Sequence, residues 1–215
     1  MRISVFISIL LLFSSCKTQS ESLKVEKSAF YIRTFHEALR HKMSGNYERS
    51  LELFNQCLQE IPNDDASHFA IAQISLIQGN LELAKTHTIL ASQRDLDTLY
   101  YQIELGYMYR EMGEFEEGAT VFEKIILEHP LNPNYYFEAA ICWEKKGKLS
   151  KAIQVMNNLE ASTGTNIEAK LKKHQWFKVE NKLKEAEKEL TSYLEKDRWN
   201  QYIIATLVDF YLSTG

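Results

Sequence analysis

Residues 99–132 read LYYQIELGYMYREMGEFEEGATVFEKIILEHPLN, and this stretch decides the fold. Apolar side chains recur at helical spacing through 99–112 and again through 115–128, which predicts two amphipathic helices. Gly113 stands between them and can take the left-handed backbone that ends a helix. Pro130 stops the second helix, because its ring cannot continue the hydrogen-bond ladder, and Pro62 is expected to do the same one hairpin earlier. Steps of 34 residues outward from Gly113 meet Gly79 and Gly45 upstream, then Gly147, Asn181 and Gly215 downstream. Asn is the usual substitute for Gly where φ is positive. Two positions after each tooth stand Tyr47, Leu81, Phe115, Leu149 and Leu183. Five positions after stand the small residues Ser50, Ala84, Gly118, Ala152 and Ala186, and nine after stand Phe54, Thr88, Phe122, Met156 and Leu190. One helical hairpin cannot bury its apolar faces alone, so neighbours stack and share a core. The expected fold is therefore all-α: an α-solenoid of repeats near 31–64, 65–98, 99–132, 133–166 and 167–200, with a partial repeat at 201–215.

Within the third repeat, Leu105, Gly106, Tyr109, Gly113, Phe115, Phe122 and Pro130 form a pattern that resembles the tetratricopeptide repeat. Gln102 replaces the family's Trp, and Gly118 its small Ala. Glu37 and Lys173 occupy a column where the family has Leu. The resemblance covers residues 31–215. It implies a scaffold that binds peptides or domains on a concave face lined by first helices. Carried onto this chain, the face takes Ile32, Phe35 and Leu39, then Ala66, Phe69 and Gln73. The third repeat adds Tyr100, Ile103 and Tyr107, and the fourth adds Asn134, Phe137 and Ile141. Family members that clamp a peptide carboxylate carry Lys, Asn and Arg there, whereas this strip is mostly apolar and aromatic. Such a groove suits an amphipathic helix or an extended apolar segment of a protein partner. Each side chain has a second reading as inter-repeat core.

The first residues carry a different signal. Met1-Arg2 is followed by an apolar run from Ile3 to Phe13 and then by Ser14, Ser15 and Cys16. That run is too short for a bilayer-spanning helix, which needs roughly 20 residues, and it has the order of a secretory signal peptide. Leu12-Phe13-Ser14-Ser15-Cys16 resembles a bacterial lipobox, with Phe13 where Leu is usual. The resemblance implies a signal peptide over 1–15, lipid on Cys16 and a polar tether over 16–29. Several acyl chains give stable membrane anchoring, which one chain does not. Lys17 follows the cysteine, and the lack of Asp there implies a Gram-negative outer-membrane address facing the periplasm.

Composition narrows the chemistry. Lys plus Arg number 25 against 29 Asp plus Glu, a net charge of −4, so the basic excess of a phosphate-tracking protein is missing and no nucleic acid is expected. The segment 170–178, KLKKHQWFK, interleaves lysines with aromatics, but it reads as a first helix whose rings pack and whose lysines are solvated. His36 and His41 miss the zinc-protease spacing by one residue and fall on different helix faces, so no metal site is expected. Three cysteines without a C-x-x-C disfavour a disulfide scaffold, and Cys57 and Cys142 read as buried apolar residues. The acidic pairs Asp64-Asp65 and Glu116-Glu117 read as solvated turn or early-helix positions. No nucleotide-binding or nucleophile-elbow motif occurs, so no cofactor and no catalytic residue are assigned.

The expected function is a non-enzymatic adaptor, lipid-anchored in the envelope, that holds a protein partner. It is similar in plan to tetratricopeptide lipoproteins of the β-barrel assembly machinery and to pilus-assembly pilotins. The alternative is a glycan-binding surface lipoprotein of a polysaccharide-uptake system. The last predicted helix, 201–213, is apolar nearly all round and expects burial on more than one side. The reading therefore expects further repeats beyond residue 215, or self-association through this end.

Overall fold

The structure, a computed structural model, describes residues 27–94 and 99–214. It is the all-helical solenoid that the period predicts. The first helices are α1 (Ala29–Met43), α3 (Asp65–Ile77), α5 (Leu99–Glu111), α7 (Pro133–Lys145), α9 (Ile167–Val179) and α11 (Gln201–Thr214). The second helices are α2 (Tyr47–Glu60), α4 (Leu81–Arg94), α6 (Phe115–Glu128), α8 (Leu149–Thr163) and α10 (Leu183–Leu194). Each helix packs on the next in sequence, so every hairpin touches its neighbours and the core runs along the stack.

The comb sets where first helices stop. Backbone φ is +75° at Gly113 and +57° at Asn181, the only positive-φ non-glycine among the described residues. After Gly113 the amide of Glu114 donates to the Tyr109 carbonyl at 2.8 Å, which satisfies a carbonyl left over at the helix end. A second column sets where first helices start. The side chains of Asp64, Asn132, Asn166 and Asn200 accept from backbone amides at the heads of α3, α7, α9 and α11. Asn and Asp are favoured at such N-caps, because one side-chain oxygen satisfies an otherwise orphan amide.

Between these stops the columns fill the core. Ser50, Ala84, Ala152 and Ala186 are fully buried, as are Phe54, Phe122, Met156 and Leu190. Small residues let the two helices of a hairpin approach, and the larger ones fill the space left.

Three places differ from the sequence reading. The residues assigned to the end of the tether, 27–29, belong to the fold: Ser28 caps α1, and Lys27 pairs with Asp64 at 2.9 Å. Asp64 is not solvated but 2% exposed. Burial works against its ionised carboxyl, yet bonds from Ser67, Tyr31 and Lys27 hold the pKa below its ordinary value. Glu116 does lie in the first turn of α6, but it is paired, with Lys148 at 2.9 Å. Signal and lipidation residues 1–16, including Cys16, lie outside the described residues.

Candidate partner-binding face

Side chains from successive first helices meet one another directly, so α1, α3, α5, α7 and α9 form one continuous face. On its helices lie all twelve residues of the expected face; Ile32 and Asn134 are exposed and Ala66 is half-buried. Phe35, Leu39, Phe69, Gln73, Ile103, Tyr107, Phe137 and Ile141 are half-buried, and Tyr100 is 51% exposed. Their inner edges serve the core. Phe35 stacks on Tyr31 at 5.7 Å and meets Phe54 edge-on at 5.5 Å, while Tyr107 meets Phe122 at 5.4 Å. Ile103 and Phe137 pack against the same cluster as Tyr107. Phe69 instead reaches across to α5, with its ring 5.2 Å from Tyr100 and 4.9 Å from Tyr101. The core reading thus holds for one edge of Phe35, Leu39, Ile103, Tyr107 and Phe137, each of which stays partly exposed.

Polar pairs cross the face at a fixed register. Arg110 on α5 binds Glu138 on α7 and lies 4.9 Å above the Tyr107 ring. Glu144 on α7 pairs with Lys172 on α9 at 3.6 Å. In both cases the partners stand 28 residues apart, joining the twelfth position of one repeat to the sixth of the next. Farther up, Lys42 on α1 donates to Gln73 on α3. Glu104 on α5 occupies the position of Glu138 one repeat earlier, but the residue 28 places before it is Leu76, which carries no charge. Burial pushes the Glu104 carboxyl up; burial and then Glu104 raise the Tyr100 phenol, and burial and then Glu138 raise that of Tyr107. Sequence reasoning missed these bridges, although the spacing of 28 was open to inspection.

The basic segment proves largely neutralised rather than solvated. Lys173 is 2% exposed, with its ammonium 2.5 Å from Glu160, 2.9 Å from Glu189 and 2.9 Å from Asn157. Lys170 pairs with Glu189 at 2.9 Å, and Lys172 with Glu144. A lysine in a leucine column is tolerated because two carboxylates from α8 and α10 enclose it.

The other candidate groups resolve as structural. Cys57 and Cys142 are free and buried, and burial pushes both thiols up to about 11. His36 is exposed and His41 half-buried near Glu37. His68 and His87 instead form an unforeseen pair, with Nδ1 atoms 2.9 Å apart. A cleft of about 570 Å³ opens between α6 and α8, lined by Glu123, Lys124, Lys151 and Gln154, away from the first-helix face. Among the described residues no group of three or more His, Cys, Asp or Glu side chains could hold a metal. No described helix is long and apolar enough to cross a membrane.

Comparison with known proteins agrees with this architecture. Residues 103–166 match the family described as tetratricopeptide repeat. A tetratricopeptide repeat protein from Parabacteroides merdae superposes with a TM-score of 0.60 at 14% identity, covering 86% of this chain and 73% of that one. MamA of Desulfovibrio magneticus RS-1 superposes with a TM-score of 0.59 at 14% identity, covering 81% and 99%. At such identity the likeness is one of fold. The transcriptional regulator HilA of Salmonella typhimurium is 25% identical over 154 residues, 66% of this chain and 27% of that protein. The HilA of Salmonella typhi matches with the same figures. The chain spans about a quarter of the length of these curated relatives.

Proposed function

We propose that the chain is a non-enzymatic adaptor that captures a protein segment on the face built by α1, α3, α5 and α7. In this reading it is held in the cell envelope by lipid on Cys16, at the outer membrane and facing the periplasm. The observation that carries the reading is the strip from Phe35 to Ile141, in which Phe35, Leu39, Ile103, Tyr107 and Phe137 pack on the core yet stay partly exposed. An aromatic such as Tyr100, half exposed beside Phe69, offers large apolar area with few torsions to freeze on binding. The anchor rests on the lipobox resemblance at Ser14-Ser15-Cys16. A nucleic-acid partner is not part of the reading. The net charge is −4, and Lys170, Lys172 and Lys173 are already matched by Glu144, Glu160 and Glu189.

Two experiments separate the parts. Phe69→Glu and Tyr100→Glu should abolish capture of the partner in crosslinked envelope fractions while far-UV helicity stays that of the parent. Unchanged capture by both variants would overturn the binding face. Cys16→Ser should lose acyl-chain labelling and leave the membrane fraction. Full membrane retention would overturn the anchor and leave the binding face standing.

A further inference from the structure

We propose that the partner segment presents a lysine or arginine among its apolar residues, and that this cation binds Glu104 between α3 and α5. The inference rests on the binding face proposed above and adds the chemistry of its ligand.

The face contains its own template for such a contact. One repeat along, Arg110 reaches from α5 to Glu138 on α7, while its guanidinium lies 4.9 Å from the centroid of the Tyr107 ring. The Tyr107 hydroxyl also donates to Glu138 at 3.4 Å. Acid, cation and aromatic plane form one unit that ties adjacent first helices together. The next bridge, Glu144 to Lys172, keeps the register with the charges exchanged. In the gap between α3 and α5 the same register supplies the acid, Glu104, and puts Gln73 where the template has its ring, but Tyr100 and Tyr107 flank Glu104 on its own helix. The cation is missing, because position 76 is a leucine.

Glu104 forms no ion pair or hydrogen bond with any described residue. It is half-buried, and no positive charge offsets the effect of burial on its carboxyl. A carboxylate in that setting gains more from an incoming cation than a fully solvated one does, because less water is displaced and less screening opposes the attraction. The surroundings select what can accompany the cation. Leu76 is 38% exposed, Ile77 59% and Tyr100 51%, so the neighbouring surface is apolar and open. An arginine or lysine stem can lie along such side chains, and its charged head can meet a tyrosine face as Arg110 does. An acidic segment would add a second unpaired negative charge beside Glu104 and is disfavoured. The occupant that fits both properties is an apolar segment with one positive side chain.

A random-peptide phage library selected against the full chain tests this. Selected peptides should be enriched in lysine or arginine adjacent to apolar residues, relative to the starting library. Against Glu104→Gln that basic enrichment should fall about tenfold, the loss of one well-formed ion pair. Leu76→Arg supplies the missing cation internally and should lower it likewise, with Glu104 intact. Enrichment that ignores charge, or basic enrichment unchanged in both variants, would overturn the inference. If apolar peptides are selected without basic residues, and are lost with Phe69→Glu, the binding face stands and the cation is wrong. If nothing is selected against the parent chain, both fall.

Discussion

Gly106 on α5 faces Phe122 on α6 so closely that a Cβ built on the glycine would stand 2.7 Å from the ring's Cζ. Phe122 is fully buried, so its ring can yield only by shifting the side chains packed around it. Gly106→Ala should therefore cost about 1–2 kcal/mol, overpacking outweighing the gain in helix propensity. At Gly118 the nearest neighbours of an added Cβ are the Gly106 carbonyl at 3.2 Å and the Cys142 sulfur at 3.3 Å, which need give by only a few tenths of an ångström. Gly118→Ala should be close to neutral. Thermal unfolding of the two variants side by side checks the hairpin register, and equal losses would contradict it.

Lys173 makes a second prediction. Removing one member of a buried ion cluster leaves the others uncompensated, so Lys173→Ala should cost about 3–5 kcal/mol. Lys173→Leu fills the space but leaves Glu160 and Glu189 sharing Lys170 alone, so it should remain destabilised. Adding Glu160→Gln and Glu189→Gln to Lys173→Leu should recover most of the loss. Denaturant midpoints of the single and triple variants decide the point.

The buried histidines predict a pH dependence. His68 Nε2 lies 3.0 Å from the Pro62 carbonyl, which only accepts, so Nε2–H donates there, while its Nδ1 shares a hydrogen bond with Nδ1 of His87. Burial, and then the neighbouring His68, push the His87 pKa down; burial also lowers that of His174. Both groups stay neutral in the fold while the unfolded chain takes up protons near their ordinary value. Their contribution is thus complete above about pH 6.5 and is lost as pH falls through the folded values. The melting temperature should drop between about pH 7.5 and 5.5, and less steeply in His87→Gln. A flat profile in the parent would contradict this.

Asp64 ties the first repeat to the second. Its carboxylate accepts from the Tyr31 hydroxyl at 2.6 Å and from the Ser67 amide at 2.8 Å. Asp64→Ala loses the helix cap and strands the buried hydroxyl, at a cost of about 2–4 kcal/mol. Asp64→Asn keeps a capping oxygen and should cost about half as much. Because the carboxyl is held below its ordinary pKa, this stabilisation persists above that value. It disappears only as pH falls through the folded value, at more acid pH than the histidine effect. Urea titrations at two acid pH values measure it.

Much of the fold was legible because its constraints are local. A residue with positive φ every 34 positions and small residues five places later state the hairpin geometry in the sequence itself. What could not be read involves side chains brought together by stacking. Lys173 looked like an intruder in a leucine column, since Glu160 and Glu189 lie 13 and 16 residues away on other helices. Asp64 looked solvated because Tyr31, 33 residues earlier, could not be placed above it. The strip from Phe35 to Ile141 was legible only by likeness to a family. Periodicity alone does not tell a residue's core edge from its open edge.

The central claim is that the first-helix face, not the opposite one, receives the partner. A photo-crosslinking amino acid at Tyr100 reports on the first face. The same probe at Leu127, 82% exposed on α6, reports on the other. In intact cells, irradiation should give one discrete protein adduct from position 100 and none from position 127. Adducts from position 127 alone, or none from position 100, would contradict the account.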